Sequence, residues 1–284
     1  GLRSDGPGAH GPRSDEPRSE GELATAGAPD ELLHEGIRRG TTIGRYVVAE
    51  LVGRGGMGVV YKAYDPVLNR GVALKLLAWR DHGGAAERGR ERLVREAQTL
   101  AQLSHPNVVS IFDVGAHEDG LFLATELIEG ETLRRWLRRS DATAATTLAA
   151  LLAAGEGLAA AHRAGIVHRD FKPDNVMMGR DGRVRVLDFG LARPDAASSG
   201  SLAAMTVAAE PGVEESRRSL TSAPVTLDGA VVGTPPYMAP ELHLGEPATP
   251  LSDQFAFCVA LYEALYGERP FPGATLAALR SYVL

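Results

Sequence analysis

The sequence predicts an α+β fold of two lobes: a small antiparallel β lobe carrying one long helix, then a mainly α lobe. Three observations carry this expectation. Between Tyr46 and Leu77, short apolar runs alternate with turns of only a few residues, which can join antiparallel neighbours but are too short for parallel crossovers. A single long stretch of helical periodicity follows. After Gly130 the chain turns to Ala/Leu-rich segments of helical length. The 284 residues suffice for a sizeable core in one large domain or two lobes.

Residues 1–40 are dominated by Gly, Pro, Ser, Glu, Asp and Arg, too few of them apolar to offset the entropy of ordering. They predict a disordered tail, with helical turns near Leu32 to Ile37. The first strand is expected over Tyr46–Val52, the second over Val59–Tyr64 after a glycine-rich turn, and the third over Val72–Leu77 after the polar turn Asp65–Gly71. Leu93, Ala97, Leu100 and Leu103 recur at helix spacing within Ala85–Leu103, until His105 and Pro106 stop the helix. Strands at Val108–Val114 and Leu121–Glu126 complete a small lobe of residues 41–126. The second lobe, 127–284, holds helices over Thr132–Arg139, Thr146–Ala164 and Phe255–Tyr266. Short strands at Asn175–Met178 and Val184–Leu187 flank the turn Arg180–Gly182. Ser, Thr, Ala, Gly and Pro dominate from Pro194 to Ala230, which predicts a long mobile loop at about 194–230.

Composition narrows the function classes. Thirty Lys plus Arg against 36 Asp plus Glu give a net charge of −6, no reason to expect nucleic-acid or anionic-membrane binding. Cys258 is the sole cysteine, so an internal disulfide is excluded, and the eight His show no spacing with Cys that would build a zinc finger. No apolar run approaches the 18 residues of a membrane span and no signal-peptide core is present, so a cytoplasmic setting is expected, with a tether beyond Leu284 left open. Of the basic residues only Lys62, Lys75 and Lys172 are lysines. In so Arg-rich a chain, a lysine points to chemistry that needs a compact ammonium.

Three constellations carry that chemistry. Gly53, Gly55 and Gly58, followed by Val60, allow a backbone turn to bring N–H groups against phosphate oxygens. Alone the pattern also fits an ordinary hairpin. A dinucleotide fold is excluded, because it needs a helix after the glycines and here a strand continues. Next, Lys75 lies in the apolar run Val72-Ala73-Leu74-Lys75, where burial demands an anion; an edge-strand lysine in water is the alternative. Glu96 shares a helix face with Leu93 and Leu100 and is the candidate carboxylate, with Glu91 as its competitor. The third is His168-Arg169-Asp170-Phe171-Lys172-Pro173-Asp174-Asn175, with Asp188-Phe189-Gly190 beginning 13 residues after Asn175. Asp170 can accept a hydroxyl proton, Lys172 can neutralise a transferring phosphoryl group, and Asn175 and Asp188 offer the hard oxygens that Mg²⁺ takes alongside phosphate. Each string also fits a polar turn; all of them in order do not.

On these residues, from about Thr42 onward, the chain resembles the catalytic domain of eukaryotic-like protein kinases, the type widespread in bacteria. The resemblance implies a protein-kinase-like fold binding ATP and Mg²⁺. It implies a serine/threonine protein kinase of the non-specific type, acting on Ser/Thr of protein substrates, with self-association for trans-autophosphorylation open. Gly53, Arg54, Gly55, Gly56, Met57, Gly58 and Val60 would cover the phosphates, with Val60 and Ala73 on the adenine. Thr125 would be the gatekeeper, and Glu126 and Ile128 would read the adenine edge by their backbone. Lys75 would hold the α/β-phosphates, anchored by Glu96. Asp170 would be the base, aided by Lys172, with Asn175 and Asp188 holding Mg²⁺. Lys172 and the run Gly233–Glu241 resemble the serine/threonine branch and place Thr234 against Asp170 and Lys172. Arg169 would pair with phosphate on the loop between Asp188 and Glu241, where the sequence does not choose among Thr221, Ser222 and Thr226.

Two departures stand out. The loop is long; regulation of substrate access and a tolerated surface insertion both fit, since each doubling of loop length costs only about 0.6 kcal/mol. Asp253 resembles the helix aspartate that fastens the catalytic loop, yet the family's final helices do not follow. An incomplete second lobe is therefore expected, with Glu241 lacking its usual cation and apolar surface around Phe255 to Leu265 under-covered.

Overall fold

The computed structural model describes residues 32–34, 37–55, 58–77, 84–118, 120–139, 141–190, 234–273 and 275–284. Most of the predicted tail, Gly56, Met57, and the predicted loop with Thr221, Ser222 and Thr226 lie outside them. The small lobe opens with β1 (Leu32–His34) and β2 (Ile37–Arg38), an antiparallel pair where helical turns were expected. The difference has a physical cause: Ile37 is 9% exposed, packed into the apolar cluster on the back of the main sheet.

That sheet comprises β3 (Thr42–Ile43), β4 (Tyr46–Gly55), β5 (Gly58–Asp65), β6 (Arg70–Leu77), β7 (Ile111–His117) and β8 (Gly120–Glu126), in the antiparallel order β3-β4-β5-β6-β8-β7. Register sorts its side chains. Val60 pairs with Lys75 and Lys75 with Leu123, while Ala73 pairs with Lys62 and Thr125. Alternation along each strand thus puts Val60, Ala73, Lys75, Leu123 and Thr125 on one face. Tyr61, Ala63, Val72, Leu74, Phe122 and Ala124 take the other, packing with Ile43, Tyr46 and Val48. Helix α1 (Gly84–Ala101) buries Leu93, Ala97 and Leu100 with Leu77, Leu121 and Leu123 in the main core. Leu93 and Leu100, at most 2% exposed, contribute on the order of 1.5–3 kcal/mol each.

The second lobe comprises β9 (Gly130–Thr132), α2 (Leu133–Leu137), α3 (Ala144–Arg163), β10 (Val176–Gly179), β11 (Val184–Val186), α4 (Pro240–His243), α5 (Pro250–Tyr266) and α6 (Leu276–Val283). Capping boxes at Thr143/Thr146 and Thr249/Ser252 start α3 and α5, and Gly267 at φ 77° ends α5. By length and apolar composition α3 could cross a bilayer, contrary to the expectation from apolar runs. Its Ala150, Leu151, Ala154, Leu158 and Ala161 instead belong to the main core. The strand expected from Val108 begins only at Ile111, because the preceding backbone bonds to the other lobe. Val186 N donates to Asn107 O at 2.9 Å, Val109 N donates to Val186 O at 3.0 Å, and Asn107 Nδ2 donates to Val184 O at 2.8 Å. Glu241 accepts from Ser252 Oγ at 2.5 Å and has no ion pair among the described residues. Tyr262, Leu265 and Tyr266 are exposed on α5.

Gly157 of α3 is the floor of this junction: a Cβ there would stand 2.4 Å from Asn107 O. In an open helix Gly→Ala gains about 1 kcal/mol from propensity. Here the clash reverses the sign, so Gly157→Ala is expected to cost about 1–3 kcal/mol, read from the urea unfolding midpoint. Stabilisation would show that the two segments are not in close contact.

Candidate active site

The segment His168–Asn175 links α3 to β10 and is held from beneath by α5. Asp253 Oδ2 accepts from His168 N at 2.6 Å and Oδ1 from Arg169 N at 2.8 Å, and His162 Nε2 lies 2.8 Å from Oδ2. Arg169 takes φ 66° under this grip, left-handed backbone that a non-glycine residue adopts only when its surroundings impose it. His168 is fully buried between Phe171 and Phe189. Its Nε2–H donates to Leu187 O at 2.8 Å and its Nδ1 accepts from Asp170 N at 3.3 Å, so the neutral ring satisfies both nitrogens. Burial accordingly pulls its pKa below the ordinary imidazole value.

Asp170 follows with 3% side-chain exposure. Oδ1 accepts from Thr234 N at 3.2 Å and Thr234 Oγ1 at 3.0 Å, while Oδ2 receives Lys172 Nζ at 3.0 Å and Asn175 Nδ2 at 3.3 Å. Lys172 Nζ also donates to Thr234 Oγ1 at 2.6 Å. Asp170, Lys172 and Thr234 thus meet, as the family resemblance implied. A carboxylate, an ammonium and a hydroxyl within hydrogen-bond reach are suited to taking a proton from an incoming alcohol while neutralising charge beside it.

Lys75 and Glu96 are not joined. Lys75 Nζ binds Asp188 Oδ1 at 2.7 Å, and Asp188 stands at φ 52°. Glu96 instead receives Arg169: Nη1 lies 3.2 Å from both carboxylate oxygens and Nη2 3.2 Å from Oε1. The expected Lys75–Glu96 ion pair is therefore corrected for this conformation. The cause is geometric: the planar guanidinium fork, aimed by the left-handed turn at Arg169, matches a carboxylate with several bonds, where an ammonium supplies a point charge.

The remaining candidates line the inner face above these groups. Gly53, Arg54 and Gly55 pair with Val60, Val59 and Gly58 in the β4–β5 hairpin. Gly58 has φ 125°, and a Cβ there would lie 1.9 Å from Leu76 O, so glycine is required. Val60, Ala73 and Thr125 share the Lys75 face. Glu126 ends β8 and Ile128 lies in the stretch leading to β9; the Glu126 side chain pairs with Arg185 Nη2 at 2.9 Å. Arg185 is 3% exposed. The residues proposed for Mg²⁺ fit a hard cation. Asn175 commits Nδ2 to Asp170 O at 2.8 Å, which leaves its amide oxygen as the atom that would serve as a ligand, and the Asp188 carboxylate is 38% exposed.

Sequence reasoning did not reach three residues of this site. His162 lies six positions before His168 and shares Asp253 with it. Arg185 braces Glu126. Arg134 of α2 reaches Asp174 of the catalytic loop at 2.7 Å. In a chain with so many arginines, nothing local distinguishes the last two.

The chain belongs to the protein kinase domain family, which matches residues 46–281. It is 37% identical over 243 residues to the serine/threonine-protein kinase PknA of Mycobacterium tuberculosis, covering 83% of this chain and 50% of that protein. It is 37% identical over 252 residues to the serine/threonine-protein kinase pkn2 of Myxococcus xanthus, covering 87% of this chain and 26% of that one. The chain thus spans about half or less of the length of these curated relatives. Among solved structures, the M. tuberculosis PknI kinase domain superposes with a TM-score of 0.59 at 25% identity, covering 83% of this chain and 78% of that one.

His168 and His243 are both held below the ordinary value of 6.5, His168 by burial and His243 by burial and Arg280. Below that pH the unfolded chain binds more protons than the folded one, so the stability these neutral histidines contribute is full above about pH 6.5 and lost as pH falls. Urea midpoints are expected to drop between about pH 7 and pH 5, and less steeply in His243→Gln. A pH-independent midpoint would contradict this.

Proposed function

We propose that this chain is the catalytic domain of a serine/threonine protein kinase that transfers the γ-phosphoryl of Mg·ATP to hydroxyls of protein substrates. The carrying observation is the convergence of the Lys75–Asp188 pair, Asn175, and Asp170 with Lys172 and Thr234, groups drawn from both lobes. Asp170 Oδ1, beside Thr234, is positioned to receive the acceptor hydroxyl's proton, and Lys172 offsets charge on the transferring group. Lys75, on the Val60/Ala73 face, would hold the phosphates. Asn175 and Asp188 would hold Mg²⁺, which supplies charge neutralisation on the phosphate oxygens. The serine/threonine preference is supported by the Lys172–Thr234 bond and by the names of the relatives. The predominance of acidic charge and the single cysteine support a cytoplasmic setting without nucleic acid.

The split ion pairs support regulation through the loop after Asp188. While Arg169 holds Glu96, Lys75 is left to Asp188. A loop phosphate is a stronger partner for a guanidinium, and its capture of Arg169 would release Glu96 to Lys75. A second copy of the chain is the proposed source of that phosphate.

Transfer of labelled phosphate from ATP to a generic basic protein tests the function. Asp170→Asn and Lys75→Met are each expected to reduce it at least about 100-fold. Equal incorporation by the parent and both variants would indicate a contaminant or a nucleotide-binding module. For regulation, mass spectrometry should find phosphate between Asp188 and Glu241, and its removal should lower activity; full activity of a phosphate-free loop would refute the mechanism.

A further inference from the structure

His243 ends α4 with 8% exposure, and its Nε2 is buried without a hydrogen-bond partner among the described residues. A buried polar atom left unpaired asks for a physical reason. The neutral imidazole supplies one: with its hydrogen on Nδ1, Nε2 keeps a lone pair and needs no acceptor. A second proton makes both nitrogens donors and charges the ring. Nε2–H would then lack an acceptor, and Arg280 of α6 would repel the charge. No carboxylate on the surrounding elements is free to answer it. Glu241 of α4 accepts from Ser252 Oγ at 2.5 Å, Glu246 beyond the helix is exposed, and Asp253 of α5 is taken by His162 and the amides of His168 and Arg169. On the 3₁₀ turn Pro235–Tyr237, the Tyr237 hydroxyl is held between Arg134 and Glu263.

The element this charge would move is α6. It packs on α4 and on the Pro235–Tyr237 turn, anchored by Leu279, which is 3% exposed and precedes Arg280. The turn continues directly from Thr234: Tyr237 N donates to Thr234 O at 2.9 Å, and Thr234 donates to Asp170 Oδ1 from both N and Oγ1. Helix α6 therefore backs the segment that fixes Thr234 beside Asp170. We propose that His243 and Arg280 make an acid-sensitive latch: the neutral ring lets α6 close on α4 and the turn, and protonation of His243 releases α6 and loosens Thr234 from Asp170. Burial, then Arg280, hold the ring below the ordinary imidazole value of 6.5. The latch is thus fully closed above about pH 6.5, and its closed-to-open ratio falls by up to about tenfold per pH unit below that. Release of α6 stands on this geometry alone; its effect on turnover rests on the proposed kinase activity.

Hydrogen exchange of the whole chain, corrected for the intrinsic pH dependence of exchange, tests the release. From about pH 7.5 to about pH 5.5, protection of the α6 amides is expected to fall about tenfold or more relative to those of α3, and less than about threefold in His243→Gln. Should that variant not fold, Arg280→Met decides: without the opposing cation, the acid loss of α6 protection should shrink at least about twofold. Equal losses in the parent and the folded variant overturn the latch. The KM for a serine peptide tests the coupling. Its rise over the same pH range should be about fivefold or more larger in the parent than in the folded variant, since titrations common to both cancel in the ratio. An active parent whose ratio stays flat while α6 is released overturns the coupling alone. A parent inactive at the higher pH overturns the kinase reading, and exchange still decides the latch.

Discussion

The carboxylate of Asp253, 1% exposed inside the second lobe, takes the backbone N–H groups of His168 and Arg169 onto its two oxygens. A buried carboxylate is tolerable only when its lone pairs are satisfied, and here one helix residue meets that condition by seizing consecutive amides of a loop. That grip holds Arg169 in left-handed backbone, a conformation that costs on the order of 1–3 kcal/mol for a non-glycine residue and persists only where surroundings enforce it. The turn drives the His168 ring into the core and sends the Arg169 guanidinium toward α1. Asp170 is then presented to Thr234 and Lys172.

Above that anchor, two cations and two carboxylates form two ion pairs. Lys75 with Asp188 and Arg169 with Glu96 is the arrangement observed. Exchanging partners leaves the total charge unchanged, and all four side chains keep partial contact with solvent, so neither pairing carries a large desolvation penalty. The junction of residues 107–109 with β11 is different: it is made of backbone hydrogen bonds and one from the Asn107 side chain, over a glycine.

Much of this was legible from local pattern. Short apolar runs between turns located β5, β6 and β8 within a residue or two, and their register then put Val60, Ala73, Lys75 and Thr125 on one face, because side chains alternate strictly along a strand. Helix spacing found α1 and its buried stripe. What escaped was set elsewhere: Ile37 becomes strand because a sheet surface needs cover, and Val108 leaves its predicted strand because Val186 claims its backbone. The short elements β9 and α4 lack the periodic length that makes an element readable.

The amino-acid sequence by itself determined which groups could do chemistry, since a lysine in an apolar strand and the order His168 to Asn175, then Asp188, are properties of residue type and spacing. Tertiary structure alone decided the pairing: that Glu96 meets Arg169, that Asp188 meets Lys75, and that Arg134 joins Asp174, Tyr237 and Glu263, the last two more than a hundred residues away. Charge is written in the chain, but which opposite charge lies within hydrogen-bond reach depends on distances that exist only after the lobes have packed.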